Sequence, residues 1–212
     1  MFENIEHVLP KDIEKTSMSI IDSELLQMGV ELDKTNAPVI KRAIHTTADF
    51  EYADTLRFSE NAVKKAKELI KNGADIVTDT NMALSGINKK VLAEFGGHVY
   101  CYMADEDIAN KAKMEGTTRA TASMEKATLL KKPVIFAIGN APTALIKLRE
   151  MYDMGIYKPA FIIGVPVGFV NVVASKELIM DTDIPYIVNA GRKGGSNVAA
   201  AITNAILYSL IE

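Results

Sequence analysis

From Gly73 onward, five short runs are apolar on consecutive positions: Asp75 to Val77, Val99 to Met103, Pro133 to Ile138, Phe161 to Val165 and Tyr186 to Val188. Successive side chains of a strand point to opposite faces, so such a run is stable only where both faces are covered. Between the runs lie stretches with helical spacing, near Asn88 to Phe95, Glu106 to Lys113, Thr118 to Leu130, Thr143 to Met154, Val172 to Met180 and Ser196 to Leu210. This alternation predicts an α/β fold: three-layer, with a mostly parallel five-stranded sheet and helices on both faces.

The segment before Gly73 reads differently. Ile13, Ile20, Ile21, Leu25 and Met28 recur at helical spacing over Lys11 to Met28, with Pro10 before and Gly29 after. A second helix follows Asn36, with Pro38 in its first turn and an apolar face of Val39, Ile40, Ala43 and Ile44. Phe50 to Phe58 shows no clean period and reads as either a strand or a loop. Ser59 is expected to cap a helix with Ala62, Val63, Ala66, Leu69 and Ile70 as its stripe, stopped by Asn72-Gly73. At 212 residues one domain over 1–212 is expected, its N-terminal helical part at about 1–72 and its parallel α/β part at about 73–212.

Charge and cysteine content exclude several classes. A net charge of -3 offers no general attraction to nucleic acid or to an anionic membrane, so an anionic ligand must meet a local cationic cluster. The one cysteine, Cys101, cannot form an internal disulfide and is expected to be a buried thiol in a reducing cytoplasm. No secretory signal or membrane span is expected.

Parallel sheets bind ligands beyond the carboxyl ends of their strands. The residues there are Asp79 to Met82, Asp105-Glu106, Gly139 to Thr143, Gly164 to Gly168 and Gly191 to Ser196. In the last of these, three glycines would let backbone approach a ligand, Arg192 and Lys193 add charge, and Ser196 opens a helix. A tight strand-to-helix turn with solvent-facing basic residues accounts for the same pattern. Asn81, Asn140, Arg192 and Lys193 are the candidate binding residues of this rim.

His45, one of three histidines, follows an apolar run and precedes Thr46, Thr47 and Asp49. It is either a hydrated helix-end side chain or a proton donor near neutrality. Ser17 sits on or beside the stripe of the first helix, available to a ligand or bonded to its own preceding turn. Arg119 opens a helix among small residues and suits a carboxylate, or simply faces solvent. There is no G-x-G-x-x-G, no phosphate loop and no G-x-S-x-G. His7, His45 and His98 lack paired ligand spacing, so neither a cofactor nor a metal held by the protein is expected.

Five segments together resemble the precorrin-8X methylmutase (cobalt-precorrin-8 methylmutase) family of cobalamin biosynthesis. They are Ile13 to Ile21, Arg42-Ala43-Ile44-His45, Ala137 to Leu145, Pro166 to Asn171 with Ser175-Lys176, and Gly191 to Ser196. The resemblance implies an isomerase that moves a methyl group from C-11 to C-12 of a tetrapyrrole, giving hydrogenobyrinate or its cobalt counterpart. It implies a homodimer with active sites at the subunit interface, His45 as the acid, and Ser17 and Arg119 at the substrate. Lys15-Thr16 and Met18 depart from the arginine and phenylalanine common near that serine. Likeness of the His45 to Asp54 segment to the cobalt branch implies a cobalt-loaded substrate. Thr46, Thr47 and Asp49 are then candidates for orienting His45. Two other readings stay open, a non-catalytic tetrapyrrole carrier and a phosphate-using transferase built on the Gly191 loop.

Overall fold

The computed structural model describes residues 9–211, apart from the side chain of Lys11; His7 lies outside them. A 3₁₀ turn over Pro10–Asp12 leads into α1 (Ile13–Gln27), α2 (Ala37–Thr47), α3 (Tyr52–Thr55), β1 (Leu56–Phe58) and α4 (Ala62–Lys71). Next come β2 (Asp75–Thr78), α5 (Asn81–Gly86), α6 (Lys89–Glu94), β3 (Val99–Tyr100), α7 (Glu106–Glu115) and α8 (Arg119–Ala127). The chain finishes with β4 (Val134–Ile138), α9 (Pro142–Asp153), β5 (Phe161–Gly164), α10 (Val172–Met180), β6 (Tyr186–Asn189) and α11 (Ser196–Tyr208).

The sheet runs β1-β6-β5-β4-β2-β3, parallel from β6 to β3 and antiparallel only between β1 and β6. Consecutive apolar residues divide between its faces as the pleat requires. Ile76, Ile135, Ala137, Phe161, Ile163 and Ile187 pack with residues of α1, α2, α4 and α11. Val77, Val134, Phe136, Ile138, Ile162 and Val188 pack with α8, α9 and α10. All twelve are at most 1% exposed, and each except Ala137 contributes roughly 1.5–3 kcal/mol by its burial.

The sheet therefore has six strands where the apolar runs predicted five; the sixth, β1, falls within Phe50 to Phe58, the stretch that reads as either a strand or a loop. β1 has only three residues, of which Leu56 is buried and Arg57 exposed, too short for periodicity to register. Its place is fixed by partners distant in sequence: Thr55 Oγ1 donates to Asn189 Oδ1 at 2.7 Å and Ala190 N to Thr55 O at 2.9 Å. Ser59 belongs to this edge, its Oγ accepting from Tyr186 N, while α4 begins later, after Asn61 at a φ of 56°. The N-terminal segment and the α/β segment share one core, in which Ile21, Ile40 and Ile44 join Ile202 and Ile206.

β1 has a consequence for function. Leu56 lies opposite Asn189, the last residue of β6, so the residues just before β1 sit at the carboxyl end of the parallel strands. α2 ends immediately upstream, and His45 is thereby carried to the edge where the Gly191 to Ser196 loop emerges.

Candidate active site

α2 stops because Ala48 turns left-handed at a φ of 52°, its N–H returning to Ile44 O. His45, in that last turn, is exposed. It lines a cleft of about 220 Å³ with Ser17, Ile20, Ile21, Glu24, Ile44, Ala48 and Phe50. Ser17 and His45, far apart in sequence, thus face one space with mostly apolar walls. Burial of Ile21 and Leu25 against α2 docks α1 there. The ion pairs Lys41–Asp22 at 2.7 Å and Arg42–Glu14 at 2.6 Å add little, since their carboxylates are largely solvated. Ser17 Oγ donates to Ile13 O at 2.9 Å, the bond to its own preceding turn, which leaves its lone pairs free to accept from a ligand.

The residues after His45 do not orient it. Thr47 Oγ1 donates to Ala43 O at 2.8 Å and accepts from Asp49 N at 3.2 Å, while Thr46 is exposed. Asp49 points to Lys193, whose ammonium lies 2.6 Å away and holds the carboxyl below its usual range. Lys193 also meets Glu51 at 2.8 Å. These pairs fasten the Gly191 to Ser196 loop to the segment behind His45.

That loop is packed by its own chain. A Cβ on Gly194 would lie 2.0 Å from Val165 O, and one on Gly139 would lie 2.6 Å from Ser196 Cα. Gly195 N donates to Val165 O and Gly168 N to Arg192 O. Of the loop's three glycines, Gly194 admits a neighbouring loop and not a ligand, Gly195 faces the side chain of Asn197, and a Cβ on Gly191 would meet nothing within 4 Å. Arg192 projects outward, its guanidinium 5.4 Å from the centre of the Phe169 ring. Phe169 and Val170 are 81% and 79% exposed, an apolar rim within a segment that also holds the half-exposed Val167.

At the crevice between β2 and β4, where strand order reverses, Asp79 is fully buried. Its carboxylate accepts from the N–H groups of Gly139, Asn140 and Ala141. Burial pushes this carboxyl up and the three donors pull it back. An anion-binding nest at the start of α9 is therefore already filled, which removes the basis for a phosphate there. Asp79→Asn would turn an amide donor toward backbone donors. Urea denaturation should register a loss of about 2 kcal/mol. An unchanged midpoint would mean that Asp79 carries no such load.

Asn140 keeps its side chain exposed while its N–H is spent on Asp79. Asn81 is the exposed first residue of α5, which Thr80 caps by accepting from Ala83 N; Thr80 Oγ1 also lies 2.7 Å from Ser196 Oγ. Arg119, exposed, opens α8, and Thr118 ties it to the start of α9 through Thr143 at 2.9 Å. Asn81, Arg119, Asn140, Arg192 and Lys193 accordingly lie along one edge of the sheet. None of them lines the cleft of Ser17 and His45.

Residue reading missed Phe50, Glu24, Phe169 and Val170, and it missed Lys176. The signal for Phe169 and Val170 was apolar residues in a loop between Pro166 and Asn171. Lys176 was legible in spacing: Val172, Ser175, Lys176 and Ile179 form the buried stripe of α10. Cys101, expected to be buried, is half-buried. Among the described residues no helix is long and apolar enough to cross a membrane.

A family model for precorrin-8X methylmutase (CbiC) matches residues 12–209. The chain is 42% identical over 207 residues to the cobalt-precorrin-8 methylmutase of Salmonella typhimurium, covering 96% of this chain and 97% of the relative. It is 35% identical to the precorrin-8X methylmutase of Pseudomonas aeruginosa, covering 92% and 93%. The solved structure of the precorrin-8X methylmutase from Thermus thermophilus superposes with a TM-score of 0.85 at 38% identity, covering 93% of this chain and 95% of that one.

Proposed function

The chain belongs to the precorrin-8X methylmutase family, isomerases of cobalamin biosynthesis, and we propose that His45 is the acid of its methyl shift. The observation that carries this reading is the shared cleft of Ser17 and His45, which has apolar walls and an exposed imidazole. A C-11 to C-12 methyl migration on a conjugated macrocycle needs electron density drawn toward the migration terminus. One positioned proton donor supplies that, typically for about 10²- to 10⁴-fold in rate. The shift changes neither oxidation state nor atom count, so it calls for no cofactor of the protein's own.

The substrate is a wide apolar ring edged with carboxylates. Phe50, Ile20 and the rim of Phe169 and Val170 suit the ring, and Arg119, Arg192, Asn81 and Asn140 suit the carboxylates. Lys193 is committed to Asp49 and Glu51, so its part is to hold the loop unless substrate displaces them. The cleft alone is too small for a tetrapyrrole. A homodimer with active sites at its interface would enlarge it, and exposed apolar residues of α1 and its end support that arrangement: Ile13, Ile20, Leu26 and Met28 are all at least half exposed. The working compartment is the cytoplasm, and the substrate carries cobalt, as the names of relatives at 42%, 41% and 40% identity suggest.

Anaerobic incubation of the protein with precorrin-8X and with cobalt-precorrin-8, followed by absorbance and product mass and NMR, tests the reading. The expected result is conversion, faster with cobalt present. Tight binding without conversion in a single turnover would leave a carrier instead. Arg119→Ala should raise KM by about 10-fold while kcat stays within a few-fold, as loss of one charge-assisted contact predicts. An unchanged KM would remove Arg119 from the site.

A further inference from the structure

Lys176 is fully buried, and among the described residues no carboxylate lies within ion-pair distance of it. Its Nζ instead donates to Gly191 O at 2.7 Å and to Lys193 O at 2.8 Å. Asn189 Nδ2 donates to the same Lys193 O at 2.9 Å, and Gly168 N donates to Arg192 O at 3.1 Å. Every carbonyl from Gly191 to Lys193 is thus turned inward onto a donor. The side chains of Arg192 and Lys193 are turned outward by the same act, one over Phe169 and the other onto Asp49 and Glu51.

An ammonium without a carboxylate is a costly way to tie a loop. Desolvation opposes the charge, and burial pulls Lys176 down to about 8. Methionine would fill the same volume of α10 without that penalty. What lysine adds is a donor that reaches two carbonyls of one loop, beneath the only part of the rim that presents two adjacent cations.

We propose that Lys176 is a positioning residue, whose ammonium fixes the Gly191 to Lys193 backbone so that Arg192 meets a ring carboxylate of the substrate. The binding part of this rests on the function proposed above; the loop-fixing part does not. Lys176→Met, with Lys176→Gln as a second variant, tests both parts. In the first measurement, trypsin is applied to the free protein and its fragments are identified by mass, since Arg192 and Lys193 put two of its cleavage points in this loop. The variants should be cut there about 10-fold faster than wild type, because release of the loop opens it locally.

In the second measurement, KM for cobalt-precorrin-8 should rise about 10-fold with kcat within a few-fold. Combined with Arg192→Ala, the rise should be less than the product of the two single effects, as coupled residues require. Unchanged proteolysis and KM in a folded variant would overturn the proposal. So would multiplicative effects with Arg192→Ala, or failure of both variants to fold, since lysine would then serve the fold and not the loop. A wild-type protein that converts neither substrate would defeat the proposed function and leave the proteolysis result standing.

Discussion

His45→Ala is expected to lower kcat by at least about 10²-fold while leaving tetrapyrrole binding measurable. The expectation is clean because the His45 side chain is exposed and, among the described residues, forms no hydrogen bond or ion pair. Exposed substitutions of that kind usually change stability by about 0.5 kcal/mol or less, so the melting temperature should hold. A fall in rate with an unchanged melting temperature separates chemistry from folding. Turnover followed by the absorbance of the pigment, beside a titration of binding, reads both quantities. Conversion within a few-fold of wild type would remove His45 as the acid. Ser17→Ala should have a smaller effect, since the hydroxyl can offer only a contact and is partly engaged with Ile13 O.

The parallel core was legible because it is governed by local pattern. A run such as Val134 to Ile138 is apolar on every position, and only a doubly covered strand satisfies it. β1 was legible only as one of two alternatives, strand or loop, because Leu56 to Phe58 is held by Asn189 and Ala190, more than 130 residues away, and not by its own period. The rim residues were legible as types and places: Asn81, Arg119, Asn140 and Arg192 do stand exposed along the carboxyl edge. Their surroundings were not. The glycines of the Gly191 loop read as room for a ligand or as a tight turn, and Gly194 serves the turn by abutting Val165 O, while Gly191 stays open. Composition marks a close approach without saying what approaches. Asp49 failed in the same way, since proximity in sequence to His45 counted for less than the reach of Lys193.

Charge follows a similar logic. The chain is acidic overall, at -3, but much of its basic charge near the site is already paired, as Lys193 is with Asp49 and Glu51. Arg192 rests on an aromatic ring instead, and a guanidinium so placed keeps all its donors for a carboxylate. A few unpaired cations at a rim, and not the net charge, decide whether a polyanion binds.

Gly139→Ala is expected to be strongly destabilising for a single added methyl, at roughly 3–4 kcal/mol. Gly139 has no positive φ among the described backbone angles, so the cost is contact and not conformation. The added carbon would stand 2.6 Å from Ser196 Cα and 2.7 Å from both Gly195 O and Ser196 N, all backbone atoms that cannot rotate aside. Retreat of β4 is blocked as well, since Gly139, Asn140 and Ala141 are held by the buried Asp79 carboxylate. For a chain of this size the melting temperature should fall by roughly 10 °C. The control is Gly116→Ala, where φ is +63° and nothing lies within 4 Å of the new carbon. That change carries only conformational strain of about 1 kcal/mol. If thermal unfolding ranked the two variants the other way, the close packing of the β4 end against the Gly195-Ser196 turn would not be what holds this edge of the sheet together.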